Sequence, residues 1–326
     1  MPASSFRSIR ILWYGAALTL TTAGPAAAVD SGATAIAPTT EASNQAPDLR
    51  VATIAFRIAA RNVARCPRTE PLTGLLLHDI SAYDPADRAA IRAAYGLGDG
   101  FGVLGVVPGS PAAQAGLQPG DEIVALDGSD PVRLGLPAPS RTASYDRVAA
   151  FLDRMRDRLS QGAASLTVRR GTVTRALALP LERGCEGQVA VVPGNKPEAW
   201  SDARYIALTH GLAAQAGDDE LAFAIAHEMA HVVLGHAGEP HSPLAGIGIG
   251  GPRSRERERV ADHLGILMVL GAGYDPAGAE ALLARLVEAS GPDISLTHPS
   301  VRSRIAAIRQ TVAEERGAAS VTGNPR

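Results

Sequence analysis

Among 326 residues, 31 basic side chains stand against 33 acidic ones, a balance with no electrostatic footprint for nucleic acid or an anionic membrane surface. Hydrophobic residues make up 46% of the chain, enough for a sizeable core, and the length exceeds one ordinary domain, so two are expected. Only two cysteines are present, Cys66 and Cys185, which in an oxidising compartment allow one intramolecular pairing.

In chain order, Arg7 and Arg10 precede an apolar run from Ile11 to Ala23, and Pro25-Ala26-Ala27-Ala28 ends on a small-x-small site. That is the pattern of a secretory signal peptide over residues 1–28, with an uncleaved anchor as the alternative. It predicts an exported, periplasmic protein with no transmembrane segment in the mature chain. Residues 29–48 are rich in Ala, Ser, Thr and Pro and are expected to be a flexible tether. From Leu49 to Cys66, apolar positions at Val51, Ile54, Ala55, Ile58, Ala59 and Val63 face arginines at 57, 61 and 65, predicting an amphipathic helix. A strand over Leu75–Leu77 and a helix over Pro85–Tyr95 complete a first segment, residues 49–95.

At Gly96 the character changes. A Gly-rich turn leads to a strand at Val103–Val107, a short Ala helix after Ser110-Pro111, and a second strand at Ile123–Leu126. A helix over Ser144–Leu159 and two alternating strands around Arg170-Gly171 follow. The segment PGSPAAQAGLQPGDEI resembles a PDZ domain of the bacterial HtrA type, placed at residues 96–183. That resemblance implies that Gly100, Phe101 and Gly102 offer backbone N–H groups to a peptide C-terminus, which pairs beside the following strand. A PDZ fold serving only as spacer or lid is the other reading. With Cys66 before this module and Cys185 after it, a disulfide would clamp the base of an inserted domain.

Beyond it, Val189–Val192 predicts a strand, Asn195–Ser201 a loop, and Ala203–Thr209 a strand expected to form a substrate-pairing sheet edge. Residues 218–235 then predict a helix, capped by Asp218 and Asp219 and stopped by Gly235. It carries His227, Glu228 and His231 in the spacing H-E-x-x-H. Residues four apart lie about 40° apart around a helix, so both imidazoles share a face able to bind Zn²⁺, with a carboxylate in reach of the metal's water. Catalytic zinc needs a third protein ligand. His236 would fall on the opposite face of a continued helix, and no spacing rule supports His241 in the Gly/Pro-rich segment His241–Pro252. Glu256 and Glu258 lie on a further helix capped by Ser254 and ended by Gly271 and Gly273. Glu258 has Asp262 one turn on, suited to hold a zinc-bound histidine, whereas Glu256 has Val260.

HEMAH, ERVADHLG and THPSVRSRI together resemble the gluzincin peptidases that include the CAAX prenyl proteases, HtpX and the BepA-type periplasmic proteases. The resemblance covers residues 49–94 and 184–316. It implies one Zn²⁺ per chain on His227, His231 and Glu258, with Glu228 as base and Asp262 behind the ligands. It also brings His298 and Arg304 near the metal as candidates to stabilise an oxyanion. The expected fold is α+β: a mainly helical zincin-type catalytic domain with a small sheet (residues 184–316), the inserted β-rich PDZ domain, and a disordered tail at 317–326. The expected function is a zinc endopeptidase acting on exported or misfolded proteins, with protein or peptide substrates and a C-terminal peptide as PDZ ligand. The rival is an exported PDZ-bearing chaperone or adaptor with a structural or latent zinc site.

Overall fold

The computed structural model describes residues 38–131, 133–202, 204–236, 252–290 and 299–322. The expected signal peptide, residues 29–37 of the expected tether, the segment 237–251 with His241, and His298 lie outside the described residues.

Helix α1 runs from Pro38 to Arg61, so the second half of the expected tether is helical. Its buried stripe, Val51, Ile54, Ala55, Ile58 and Ala59, supplies the nucleus. Extension backwards builds on that nucleus past Pro47, which removes one helix hydrogen bond, and Pro38 is tolerated in a first turn that lacks N–H partners anyway. Strand β1 (Thr69–Pro71) follows Cys66, then β2 (Leu75–His78) and α2 (Arg88–Tyr95). Next come β3 (Phe101–Val106), α3 (Pro111–Gln114), β4 (Glu122–Leu126), α4 (Asp146–Leu159), β5 (Ala164–Arg170) and β6 (Val173–Leu179).

These strands form one five-stranded sheet ordered β2-β3-β4-β5-β6. The PDZ-like unit therefore begins near Leu75 rather than at Gly96, and the catalytic share of residues 49–95 shrinks to α1 and β1. The long chain excursion between β2 and β3 hid their antiparallel pairing from a local reading. The unit has its own core, in which Phe101, Phe151, Met155, Leu159 and Leu166 are fully buried.

The chain returns as β7 (Arg183–Cys185), antiparallel to β1 with Thr69 opposite Cys185. Cys66 and Cys185 form a disulfide with a Cα–Cα distance of 5.5 Å at this two-stranded neck. The insertion is closed at its base as expected.

Strands β8 (Gln188–Val192), β9 (Ala199–Asp202) and β10 (Tyr205–Thr209) make a three-stranded sheet ordered β8-β10-β9. Two expectations change here. Residues 199–201 are strand, not loop, and β10 is the central strand, so the outer edge beyond it belongs to β9. Helix α5 (His210–Gln215) then separates β10 from α6 (Asp218–Val233), which packs against α1, β9, β10, α7 (Pro252–Gly271) and α8 (Ala277–Ser290). Helix α9 (Val301–Thr322) covers α7 and α8 and runs six residues into the expected tail, where Ala318 and Ala319 let the helix propagate past Gly317. Among the described residues no helix is long and apolar enough to cross a membrane.

Candidate metal centre

Helix α6 is apolar nearly all round because neighbours cover most of its surface; Leu221, Ala222, Ile225, Ala226, Met229, Ala230 and Val232 are inaccessible. Its N-cap is Gly217, not an aspartate. The Gly217 N–H donates to Glu220 Oε2 at 2.7 Å, and Arg285 grips the same carboxylate. Past its first turn, only His227, Glu228 and His231 of α6 are not buried.

Helix α7 begins at Pro252, two residues before the expected cap, and lies close against α6 because of Gly265. A Cβ there would sit 3.2 Å from His227 Cα. That contact sets the helix spacing and brings Glu258, two turns earlier on α7, to the imidazoles. Nε2 of His227 and of His231 are 3.2 Å apart, and Glu258 oxygens lie 3.5 Å and 3.4 Å from them respectively. For a tetrahedral ion with arms near 2.1 Å, ligand atoms should be roughly 3.3 Å apart. The imidazole pair meets that spacing, the Glu258 carboxylate turns one oxygen toward each imidazole, and one atom from each residue lies within 4.8 Å of the others; the donor set fits zinc in chemical type, and among the described residues it is the single His/Cys/Asp/Glu cluster of that kind.

The supporting residues are equally specific. His227 Nδ1 is 3.0 Å from Asp262 Oδ1, off the line of a hydrogen bond but close enough for the carboxylate to favour a proton on Nδ1 and leave Nε2 for the metal position. Asp262 is 2% exposed and receives Arg304 Nη2 at 2.6 Å and Nε at 2.8 Å. Burial pushes the Asp262 carboxyl up, but Arg304 and His227 override it and hold it below the usual carboxylate range. Burial opposes charge on His227 too, yet Asp262 and Glu258 raise it to about 10 in the metal-free protein. A cation must then displace a proton that the same carboxylates hold, so binding releases protons.

Two expectations are corrected by these contacts. Arg304 has both Nε and Nη2 committed to Asp262, so it orients the histidine's partner and is not aimed at an oxyanion. His236 is not on an opposite face, because α6 stops at Val233 and Gly235 (φ 75°) turns the chain back. His236 Nδ1 comes to 3.2 Å from His231 Nδ1, within hydrogen-bond reach of that imidazole.

The Gly100–Phe101–Gly102 turn is also not a free peptide-binding edge. Strand β3 is flanked by β2 and β4, with Gly102 paired to His78 on one side and Glu122 on the other. The N–H groups of Gly98 and Gly100 donate to Glu122 Oε1 at 2.9 Å and 2.8 Å, and Phe101 is buried against Phe151 with ring centroids 4.0 Å apart. The outer strand on that side of the sheet is β2.

Comparison with known proteins finds two families along the chain. Residues 102–134 match the PDZ domain family, and residues 167–245 and 241–312 match Peptidase family M48. The chain carries a PDZ domain and an M48 peptidase domain. It is 29% identical over 127 residues to the mitochondrial metalloendopeptidase OMA1 of Schizosaccharomyces pombe, covering 30% of this chain and 38% of that protein. The chain thus spans well under half the length of that relative. Similar solved structures include the HtrA3 PDZ domain bound to a phage-derived ligand (21% identity, TM-score 0.26, 36% of this chain, 89% of that one). Another is the HtrA-type protease AlgW with a decapeptide (24% identity, TM-score 0.25, 36% of this chain, 29% of that one). Within the M48 domain, the positions of His227, His231, Glu258 and Asp262 were legible from helical spacing together with the family resemblance. His236 was weighed only as a third ligand, and Ser201 and Gly265 were not singled out, although a glycine inside an apolar helix is a local signal of close helix approach.

Proposed function

We propose that the chain is a zinc-dependent endopeptidase of exported or misfolded proteins, with His227, His231 and Glu258 as ligands and Glu228 as general base. The observation that carries this reading is the convergence of His227 Nε2, His231 Nε2 and the Glu258 carboxylate, which sets Oε2 3.5 Å from the first imidazole and Oε1 3.4 Å from the second, beside a carboxylate that is not itself one of the three donors. When bound, zinc supplies a Lewis acid that polarises a carbonyl and acidifies water. Glu228 accepts the proton of the attacking water as its oxygen bonds to the scissile carbon, and delivers that proton to the leaving amine as the C–N bond breaks. Asp262 favours the tautomer of His227 that keeps Nε2 free as a donor. Strand β9, the outer edge next to α6, is the strand along which an extended substrate would pair. His298 is the remaining oxyanion candidate, on sequence resemblance alone. In the PDZ domain, a protein C-terminus would add along β2.

The test is cleavage of an unfolded protein substrate by the purified chain, with and without chelator, and by Glu228→Gln. Glu228→Gln should keep one zinc per chain while lowering kcat at least ~100-fold, as expected when a general base is lost. Cleavage that survives both chelation and this substitution would defeat the reading.

A further inference from the structure

Glu228 is held from outside its own helix. Ser201 Oγ donates to Glu228 Oε2 at 2.8 Å. Ser201 lies on β9 opposite Ile206 of β10, and alternation along the strand turns Ser201 toward α6 while Trp200, 44% exposed, faces outward. A glutamate has three side-chain torsions, and a hydroxyl on one oxygen leaves the other oriented for a proton transfer.

Strand β9 can hold Ser201 there only while its hairpin keeps its place. With four residues and one paired side, it is a marginal element by itself. Its turn into β10 is tied elsewhere: the Arg204 guanidinium forms an ion pair with Asp153 on α4, the PDZ helix. Asp153 also accepts from Arg156, whose Nε lies 3.6 Å from Glu70 Oε2, and Glu70 in turn receives the Gly187 N–H at 3.0 Å. Helix α4 faces this turn across a polar cleft of about 340 Å³ bordered by Glu70, Asp153, Arg156, Glu186 and Arg204. Charges, not apolar packing, make the connection here. A lone exposed pair would count for little, but Asp153 sits between two guanidiniums, and Arg156 is only 12% exposed.

We propose that Ser201 is a positioning residue for Glu228, and that the PDZ helix sets it through Asp153 and Arg204, so that the state of the PDZ domain is felt at the base. This rests on the peptidase reading and assigns that site its regulation.

The experiment compares full-length wild type, Ser201→Ala, Ser201→Thr, Asp153→Asn and the Ser201→Ala/Asp153→Asn double variant. Ser201→Ala should lower kcat ~10-fold with KM within twofold and zinc content unchanged, because a misplaced base loses orientation rather than binding. Ser201→Thr should restore most of kcat. Asp153→Asn should lower kcat ~3-fold, and the double variant should be no slower than Ser201→Ala alone, since both substitutions act on one contact. In metal-free protein, Asp153→Asn should also speed amide exchange across residues 199–209 by ~3-fold or more. Arg204→Gln gives the same readouts if Asp153→Asn does not fold. Wild-type kcat in Ser201→Ala, fold-losses that multiply in the double variant, or unchanged exchange in the hairpin would each overturn the proposal. A wild type without metal-dependent cleavage would instead overturn the peptidase reading, leaving the exchange measurement to decide whether the PDZ helix holds the hairpin.

Discussion

Replacing Gly265 by alanine tests whether the spacing of α6 and α7 sets the metal site. The new Cβ would lie 3.2 Å from both N and Cα of His227 and 3.4 Å from the Ala226 carbonyl carbon. Relaxed carbon contacts are about 3.5–4.0 Å, so α7 must move away by roughly 0.5 Å. Glu258 and Asp262 move with it. The 3.5 Å separation between His227 Nε2 and Glu258 Oε2 then opens toward about 4 Å, beyond the ~0.2 Å tolerance of zinc–ligand distances. Zinc affinity should fall about 10–100-fold, the range seen when the support of metal ligands is disturbed. Stability of the metal-free fold should change little, because alanine gains about 1 kcal/mol of helix propensity over glycine and offsets part of the clash. The assay is competition for zinc against a chromophoric chelator, with calorimetric melting of the metal-free protein as control. An affinity within twofold of wild type would show that this helix contact does not set the ligand geometry.

Three further outcomes are expected. The Cys66–Cys185 bridge closes a 119-residue separation, which for a wholly unfolded loop is worth about 5 kcal/mol. The PDZ domain has a separate core, so it should stay folded when the peptidase domain melts and reduce the flexible loop to about a dozen residues, worth about 3 kcal/mol. Replacing both cysteines by alanine should therefore lower only the peptidase transition, by about 3 kcal/mol; a single merged transition losing about 5 would contradict this. Asp48 is raised by burial to about 6, and its Oδ1 lacks a hydrogen-bond partner. A folded pKa above the unfolded value gives stability that is present below the unfolded pKa and lost as pH rises through 6, so Asp48→Asn should raise Tm at pH 8 and leave it unchanged at pH 4. Finally, Glu228→Gln should separate metal binding from cleavage, with zinc content measured beside kcat.

Features set by neighbours in the chain were readable in the residues themselves. Helical periodicity puts His227 and His231 on one face, and puts Glu258 one turn from Asp262, whatever surrounds those helices. Chemistry of the side chains made that set a candidate zinc site, and the PGSPAAQAGLQPGDEI segment marked the module between Cys66 and Cys185. Misreadings arose where the answer depended on residues far away in the chain. Whether β3 or β2 is the outer strand depends on which segment hydrogen-bonds beside it, and a glycine-rich turn looks the same in either case. Arg304 sat in the right motif, but its role was decided by the buried charge it meets, Asp262 on a different helix. His236 joined the site because α6 ends at Val233, and Ser201 because an edge strand passes over Glu228. Local propensity acts over a few residues, whereas strand order, helix spacing and the pairing of buried charges are settled only when the whole core closes.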